Sequence, residues 1–195
     1  MNGFKLSACL LGLSFALSAQ QWRIDTAHSA AQFSIRHMMV STVRGQFGKL
    51  TGAVQWDPAK PAAASVEAQV EVASIDTREP KRDAHLRSPD FFDADKYPTM
   101  SFKSTSLTPA GPGRWKLAGE LGIRGVVRPV VFDVEGPGEA VKGPDGNLRV
   151  GATATTRINR KDFGMTWNRA LDAGGFVLGE EVTITVDVEL VRGAK

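Results

Sequence analysis

The segment EVTITVDVEL, Glu181 to Leu190, sets Val182, Ile184, Val186, Val188 and Leu190 alternately with Glu181, Thr183, Thr185, Asp187 and Glu189. A strict period of two marks a strand with one dry face and one wet face. Strands of a parallel sheet covered on both sides read as unbroken apolar runs, so this alternation belongs to an antiparallel sheet with a solvated face. The segment SVEAQVEVAS, Ser65 to Ser74, repeats the pattern with Val66, Ala68, Val70 and Val72 against Glu67, Gln69 and Glu71.

Weaker alternations extend the reading outward. They carry Ala31, Phe33 and Ile35; Leu50, Val54 and Trp56; Met100 and Phe102; Trp115, Leu117, Leu121 and Ile123; Val130, Phe132 and Val134; and Leu148, Val150, Ala152 and Ala154. Turn residues separate these runs, including Asp57-Pro58, Pro109 to Gly113, Arg124-Gly125 and Gly143 to Asn147. Eight or nine amphipathic strands with few helices must bury their apolar faces on one another, as a sandwich or a closed barrel. Closure also removes sticky edges. Pro129, inside a strand-like run, belongs at an edge or an irregularity, because proline cannot donate a ladder hydrogen bond.

The dense stretch KRDAHLRSPDFFDADKYPTMSF, Lys81 to Phe102, interrupts this pattern. Glu79-Pro80 starts a short helix, and Ser88-Pro89 has the form of a second helix cap, giving a helical segment near residues 79–92. Phe91 and Phe92 then follow on the inner side, and the whole segment serves as a plug for one barrel end.

The chain has 195 residues, 42% of them hydrophobic, which fits a single globular domain. Its opening, MNGFKLSACLLGLSFALSAQQW, places Lys5 before an apolar run from Leu6 to Leu17 and small residues at Ala16, Ser18 and Ala19. That is the shape of a secretory signal peptide over residues 1–19, ahead of a domain at 20–195. The run is too short to span a bilayer, which takes roughly 20 residues, so stable membrane insertion after cleavage is not expected. A periplasmic or secreted location follows. Cys9 is the only cysteine, so the mature chain forms no disulfide and offers no thiolate. The formal charge of +3 falls to +2 with Lys5 removed, and the basic residues are scattered among acids, so nucleic acid is not an expected partner.

Catalytic and metal motifs are sparse. Three histidines occur, His28, His37 and His85, none of them at helical i, i+4 spacing. No nucleophile elbow or phosphate loop is present. The expectation is therefore no enzyme, no metal and no cofactor. Arg78, Arg82 and Arg87, with Arg157, Arg160, Lys161 and Arg169, form a basic set. Such groups either hold a phosphate or carboxylate or pair with Asp76, Asp83, Asp162 and Asp172 to fix loops.

Five phrases, IDTAHSAAQFSIRHM, VRGQFGKLTG, ASIDTREPKRDAHLRSPDFFDADKYPTMSF, LAGELGIRGVVRPV and INRKDFG, together resemble the YceI-like family of exported polyisoprenoid-binding proteins. The resemblance runs from about Trp22 to Leu190. It implies an extended antiparallel, eight-stranded, lipocalin-like barrel whose apolar cavity holds a prenyl or other long-chain lipid, of quinone or polyprenyl phosphate type. It implies no catalytic residues. Gly122 departs from the family pattern and is expected to loosen or bend its strand.

An eight-stranded barrel is either filled by its own side chains or holds one slender ligand. The candidate cavity residues are Phe33, Ile35, Val54, Trp56, Val66, Val70, Val72, Met100, Phe102, Leu117, Leu121 and Phe132. Arg82, His85 and Arg160 are the candidates for a polar head group. At about 0.8 kcal/mol per buried carbon, a few isoprene units supply the roughly 8 kcal/mol of micromolar binding without polar contacts. Two alternatives stand beside this carrier reading: an enzyme using His85 and Asp83 as acid and base, and a filled barrel acting as an interaction module. Pairing of two barrels into a homodimer stays open.

Overall fold

The computed structural model describes residues 21–172 and 174–193. The proposed signal segment, residues 1–19, lies outside the described residues. Twelve strands alternate along the chain as the polar and apolar residues do. The first six are short: β1 (Gln21–Ile24), β2 (Ala30–His37), β3 (Ser41–Phe47), β4 (Leu50–Gln55), β5 (Ser65–Glu71) and β6 (Ile75–Asp76). After a helix, α1 (Pro80–Arg87), come β7 (Thr99–Gly111), β8 (Arg114–Ile123), β9 (Val126–Glu135), β10 (Val141–Lys142), β11 (Leu148–Asn159) and β12 (Leu178–Arg192).

The short strands are halves of longer ones. Along one edge of β12, β2 pairs with residues up to Asp187 and β1 continues the edge at Leu190 and Val191. On the far side, β3 pairs with β2 while β4 pairs with β1, and β6 pairs with β3 while β5 pairs with β4. Counting β1/β2, β3/β4 and β5/β6 as single bent strands leaves eight, all antiparallel, and the β11–β12 ladder closes the ring. Two of the three bends are short 3-10 turns, at Thr26–His28 and Val72–Ser74; the other is the Gly48-Lys49 link. At the first, Asp25 accepts from the Ala27 amide at 3.0 Å, an N-cap written into the sequence.

The ring is loosest between β9 and β11, which pair over only three residues, Thr153 to Thr155. Pro129 occupies the stretch of β9 that lacks a ladder on that side, as its missing N–H requires. Thr156 Oγ1 donates to the Val131 carbonyl at 2.8 Å and bridges the gap.

Gly122 behaves otherwise than expected. It pairs regularly with Ser101 and Val127, and β8 runs straight through it. Its side faces outward, where flanking Leu121 and Ile123 on the packed face hold the strand. The irregularities in β7 fall instead between Ser104 and Ser106 and between Pro109 and Gly111.

Glu79 caps α1 through the Lys81 amide, and Pro80 opens its first turn. Ser88 closes this helix rather than starting another: its amide and hydroxyl both bond the His85 carbonyl, and residues 88–92 are turns. With few apolar residues, α1 is tied down by polar bonds. Buried Asp83 accepts from the Thr77 amide at 2.9 Å and from its hydroxyl at 2.5 Å. We expect Asp83→Asn to lower stability by about 1–3 kcal/mol in a denaturant titration, since one buried donor loses its charged acceptor.

Candidate functional site

The inward side chains do not meet at the barrel axis. They enclose a cavity of about 590 Å³ whose walls are almost entirely apolar. It extends from Trp56, Trp115 and Pro137 at one end to His85, Arg160 and Trp167 beneath α1 at the other. Along β12 the lining runs from Leu178 to Leu190. At about 3.4 Å per residue and a tilt near 40°, that stretch covers about 30 Å along the barrel axis.

Two glycines keep the lumen open. A Cβ on Gly45 would lie 2.5 Å from Phe33 Cζ, and one on Gly119 would lie 2.5 Å from Phe102 Cζ. Neither glycine has a positive φ, so space and not backbone conformation fixes them. Each ring lies along the wall over its glycine. There Phe33 meets Phe47 at 5.8 Å between centroids, and Phe102 meets Phe132 edge-on at 5.3 Å. The small residues Ala68, Ala152 and Ala154 leave further room.

Of the twelve apolar candidates, eleven line this cavity: Phe33, Ile35, Val54, Trp56, Val66, Val70, Met100, Phe102, Leu117, Leu121 and Phe132. Val72 does not. The period-two pattern continues through it, but β5 ends at Glu71 and the chain turns, with the Val72 amide donating to Pro98 O at 2.9 Å. Its side chain, 1% exposed, packs with Phe47, Ile75 and Phe163 in the dry core at the α1 end. The lining also includes Val43, Leu107, Met165, Trp167 and Val177, absent from the sequence candidates. Val43 and Leu107 sit in strands with weak alternation, and the others lie in an irregular loop with no periodic signal.

Arg82, His85 and Arg160 do come together at one end of the cavity. Arg82 spends Nε on Thr77 Oγ1 and Nη2 on the Thr77 carbonyl, both at 2.8 Å. His85 Nε2 sits 2.8 Å from Asp90 Oδ2, with its ring edge-on to Phe91 and Trp167. Arg160 is 2% exposed. Its Nε donates to Gly179 O at 2.9 Å and its Nη1 to Met165 O at 2.5 Å, while Nη2 has no partner. Burial pushes this guanidinium below its ordinary pKa, and Glu180 opposes the shift from a distance. The Glu180 carboxylate is itself held down by Lys161 and Asn159.

The expected pairing of arginines with Asp76, Asp83, Asp162 and Asp172 is not what holds these loops. Arg82, Arg124, Arg128 and Arg160 donate to backbone carbonyls instead, because turns and loop ends leave those oxygens free. The proposed acid and base also part company: Asp83 binds Thr77, while His85, two residues along the helix, faces Asp90. Away from the cavity, Asp25, His28 and Glu189 cluster closely enough to hold a cation, but the Arg149 guanidinium already bonds Glu189 at 2.8 Å.

Comparison with known proteins agrees with this geometry. The YceI-like domain pattern matches residues 22–190. A UPF0312 protein of Vibrio cholerae is 39% identical over 160 residues, covering 81% of this chain and 84% of its own. A UPF0312 protein of Staphylococcus aureus is 36% identical, covering 85% and 94%. Among solved structures, Burkholderia cenocepacia BcnA superposes with a TM-score of 0.73 at 25% identity, covering 85% of this chain and 98% of its own. A polyisoprenoid binding domain from Saccharophagus degradans shares the fold alone, with a TM-score of 0.62 at 14% identity and coverage of 89% and 98%. The chain, matched across nearly all its described residues, belongs to the YceI-like family.

Proposed function

We propose that this protein is an exported carrier that binds an isoprenoid or other long-chain lipid inside its barrel. One observation carries the reading: a continuous apolar cavity of about 590 Å³ threads an eight-stranded barrel, within the usual range for small-molecule sites. Its walls offer length and greasiness and few polar groups, which is what a prenyl or acyl tail requires. At 0.8 kcal/mol per methylene, a tail of ten or more buried carbons reaches about 8 kcal/mol, the range of micromolar affinity before ordering costs. A domain of the same fold is named for polyisoprenoid binding, which supports the ligand class. The polar end beneath α1, with Arg82, His85 and Arg160, suits the head of such a lipid, and the opening signal-like segment supports export.

Native mass spectrometry of gently purified protein is expected to give a mass excess of one long-chain lipid per chain. Protein that carries no lipid, and takes up neither a long-chain quinone nor a polyprenyl phosphate, would count against the carrier reading. Ile35, Val66 and Leu117, on three different strands, are expected to show chemical-shift changes together on ligand addition, because a single extended tail touches opposite walls of one narrow lumen.

A further inference from the structure

The large apolar side chains left outside the barrel are not spread evenly. Among the described residues seven are exposed, and four of them, Met38, Met39, Val40 and Phe176, sit together at the α1 end. Met38 to Val40 form the tip between β2 and β3, where Met39 and Val40 are 68% and 79% exposed. Phe176 lies beside the tip, because the Met38 amide donates to the Val177 carbonyl at 2.7 Å. None of the four lines the cavity, but their neighbours His37, Ser41 and Val177 do, and Ser41 is itself exposed. The lumen therefore reaches the surface beside this patch.

The turn would be easier with other residues. Met38 and Met39 have φ of 50° and 61°, and the Val40 amide closes the turn on the His37 carbonyl at 3.1 Å. Two successive left-handed residues in a hairpin call for Asn-Gly or Asp-Gly. Methionine there strains the backbone, and side chains this exposed recover little of it by packing. An exposed apolar patch held under strain points to something that covers it. Charge gives the character of that partner. Residues 36–44 and 164–177 carry three arginines, Arg36, Arg44 and Arg169, against one acid, Asp172. Among the described residues none of the three arginines pairs with a carboxylate, and Arg36 donates only to the Thr42 hydroxyl and the Met39 carbonyl. Oily tips flanked by unpaired cations match the surface of a bilayer with anionic head groups, where apolar side chains enter the acyl boundary and arginines meet phosphate.

We propose that the β2–β3 tip and the loop before β12 dock the barrel reversibly on a bilayer containing anionic phospholipid, with Met38, Met39, Val40 and Phe176 in the interface and the cavity rim against the membrane. This rests on the lipid-binding reading above for its purpose and adds a route: a tail passes between bilayer and lumen at the rim without crossing water. The contact itself needs no ligand in the cavity.

Flotation of the purified protein with vesicles tests the proposal. The wild type is expected to float with vesicles of equal parts phosphatidylcholine and phosphatidylglycerol, less with phosphatidylcholine alone, and less as salt is raised. Met38→Asn with Met39→Gly removes both oily side chains while giving the turn its preferred residues, so the thermal midpoint should hold and partitioning should fall about tenfold or more. Phe176→Ser should weaken flotation too, and Val141→Ser, equally exposed at the opposite end, should leave it unchanged. Lipid delivered from ethanol should still fill the double variant, while uptake from vesicles slows. A wild type that stays off the mixed vesicles, or a double variant that floats as well as wild type, overturns the proposal. So does a wild-type dimer, absent from vesicles, that the double variant dissociates, since the patch would then belong to a second copy of the chain. Protein that floats but holds no lipid in its lumen would uphold the docking and count against the carrier reading alone.

Discussion

Ala154→Trp is expected to abolish lipid uptake while the barrel stays folded. Ala154 lies in β11 between Val134 of β9 and Val186 of β12, with its methyl group on the cavity wall. An indole there projects into open lumen rather than packed core. A tryptophan occupies far more volume than a methyl group, enough to bar the passage of a tail past mid-barrel. The overpacking cost stays near the lower end of the usual 1–3 kcal/mol, because the ring enters existing space. Thr155→Trp is the control: its side chain points outward, opposite Thr185 and Asp133, and lipid content should remain at wild-type level. The measurements are lipid per chain by native mass spectrometry and the thermal midpoint. Full lipid content in Ala154→Trp would mean that the tail does not lie in this lumen.

Much of this architecture was legible in the residues. The alternation in β5, β8, β11 and β12 marked the inward faces, and Glu79-Pro80 marked the start of α1. What escaped depended on pairings between distant segments. Val72 continues a perfect alternation, and nothing local announces that Pro98 will take its amide and end the strand. Gly45 and Gly119 acquire a role only through register, which sets Phe33 opposite the first and lays Phe102 across the second. Arg160 was visible as a basic residue in a loop. Its missing partner became visible only once Gly179 and Met165, from different elements, were seen to use two of its three nitrogens. Whether the barrel is hollow was likewise undecidable from composition, since the same aromatic residues fill a lumen or line it depending on what lies beneath their rings.

That dependence gives the second large effect, at Gly119. A valine there places its Cβ 2.5 Å from the Lys103 carbonyl oxygen and 2.5 Å from Phe102 Cζ. The ring can swing inward and narrow the cavity, but the carbonyl belongs to the β7 backbone and cannot move without disturbing the β7–β8 ladder. The expected cost is about 3 kcal/mol, at the upper end for overpacking. For a domain of this size that lowers the thermal midpoint by about 6–12 °C. Lipid content should fall as well, because the displaced ring enters the lumen. Adding Phe102→Ala removes one clash and leaves the other, so the pair should show non-additivity in a double-mutant cycle, with the backbone share of the cost persisting. Gly122→Ala, three residues along the same strand, is the contrast. Its Cβ would meet the Ser101 hydroxyl at 2.6 Å, the end of a side chain free to rotate away, and stability should stay within about 0.5 kcal/mol of wild type. A Gly119→Val protein as stable and as rich in lipid as the wild type would show that the inward glycines do not hold this barrel open.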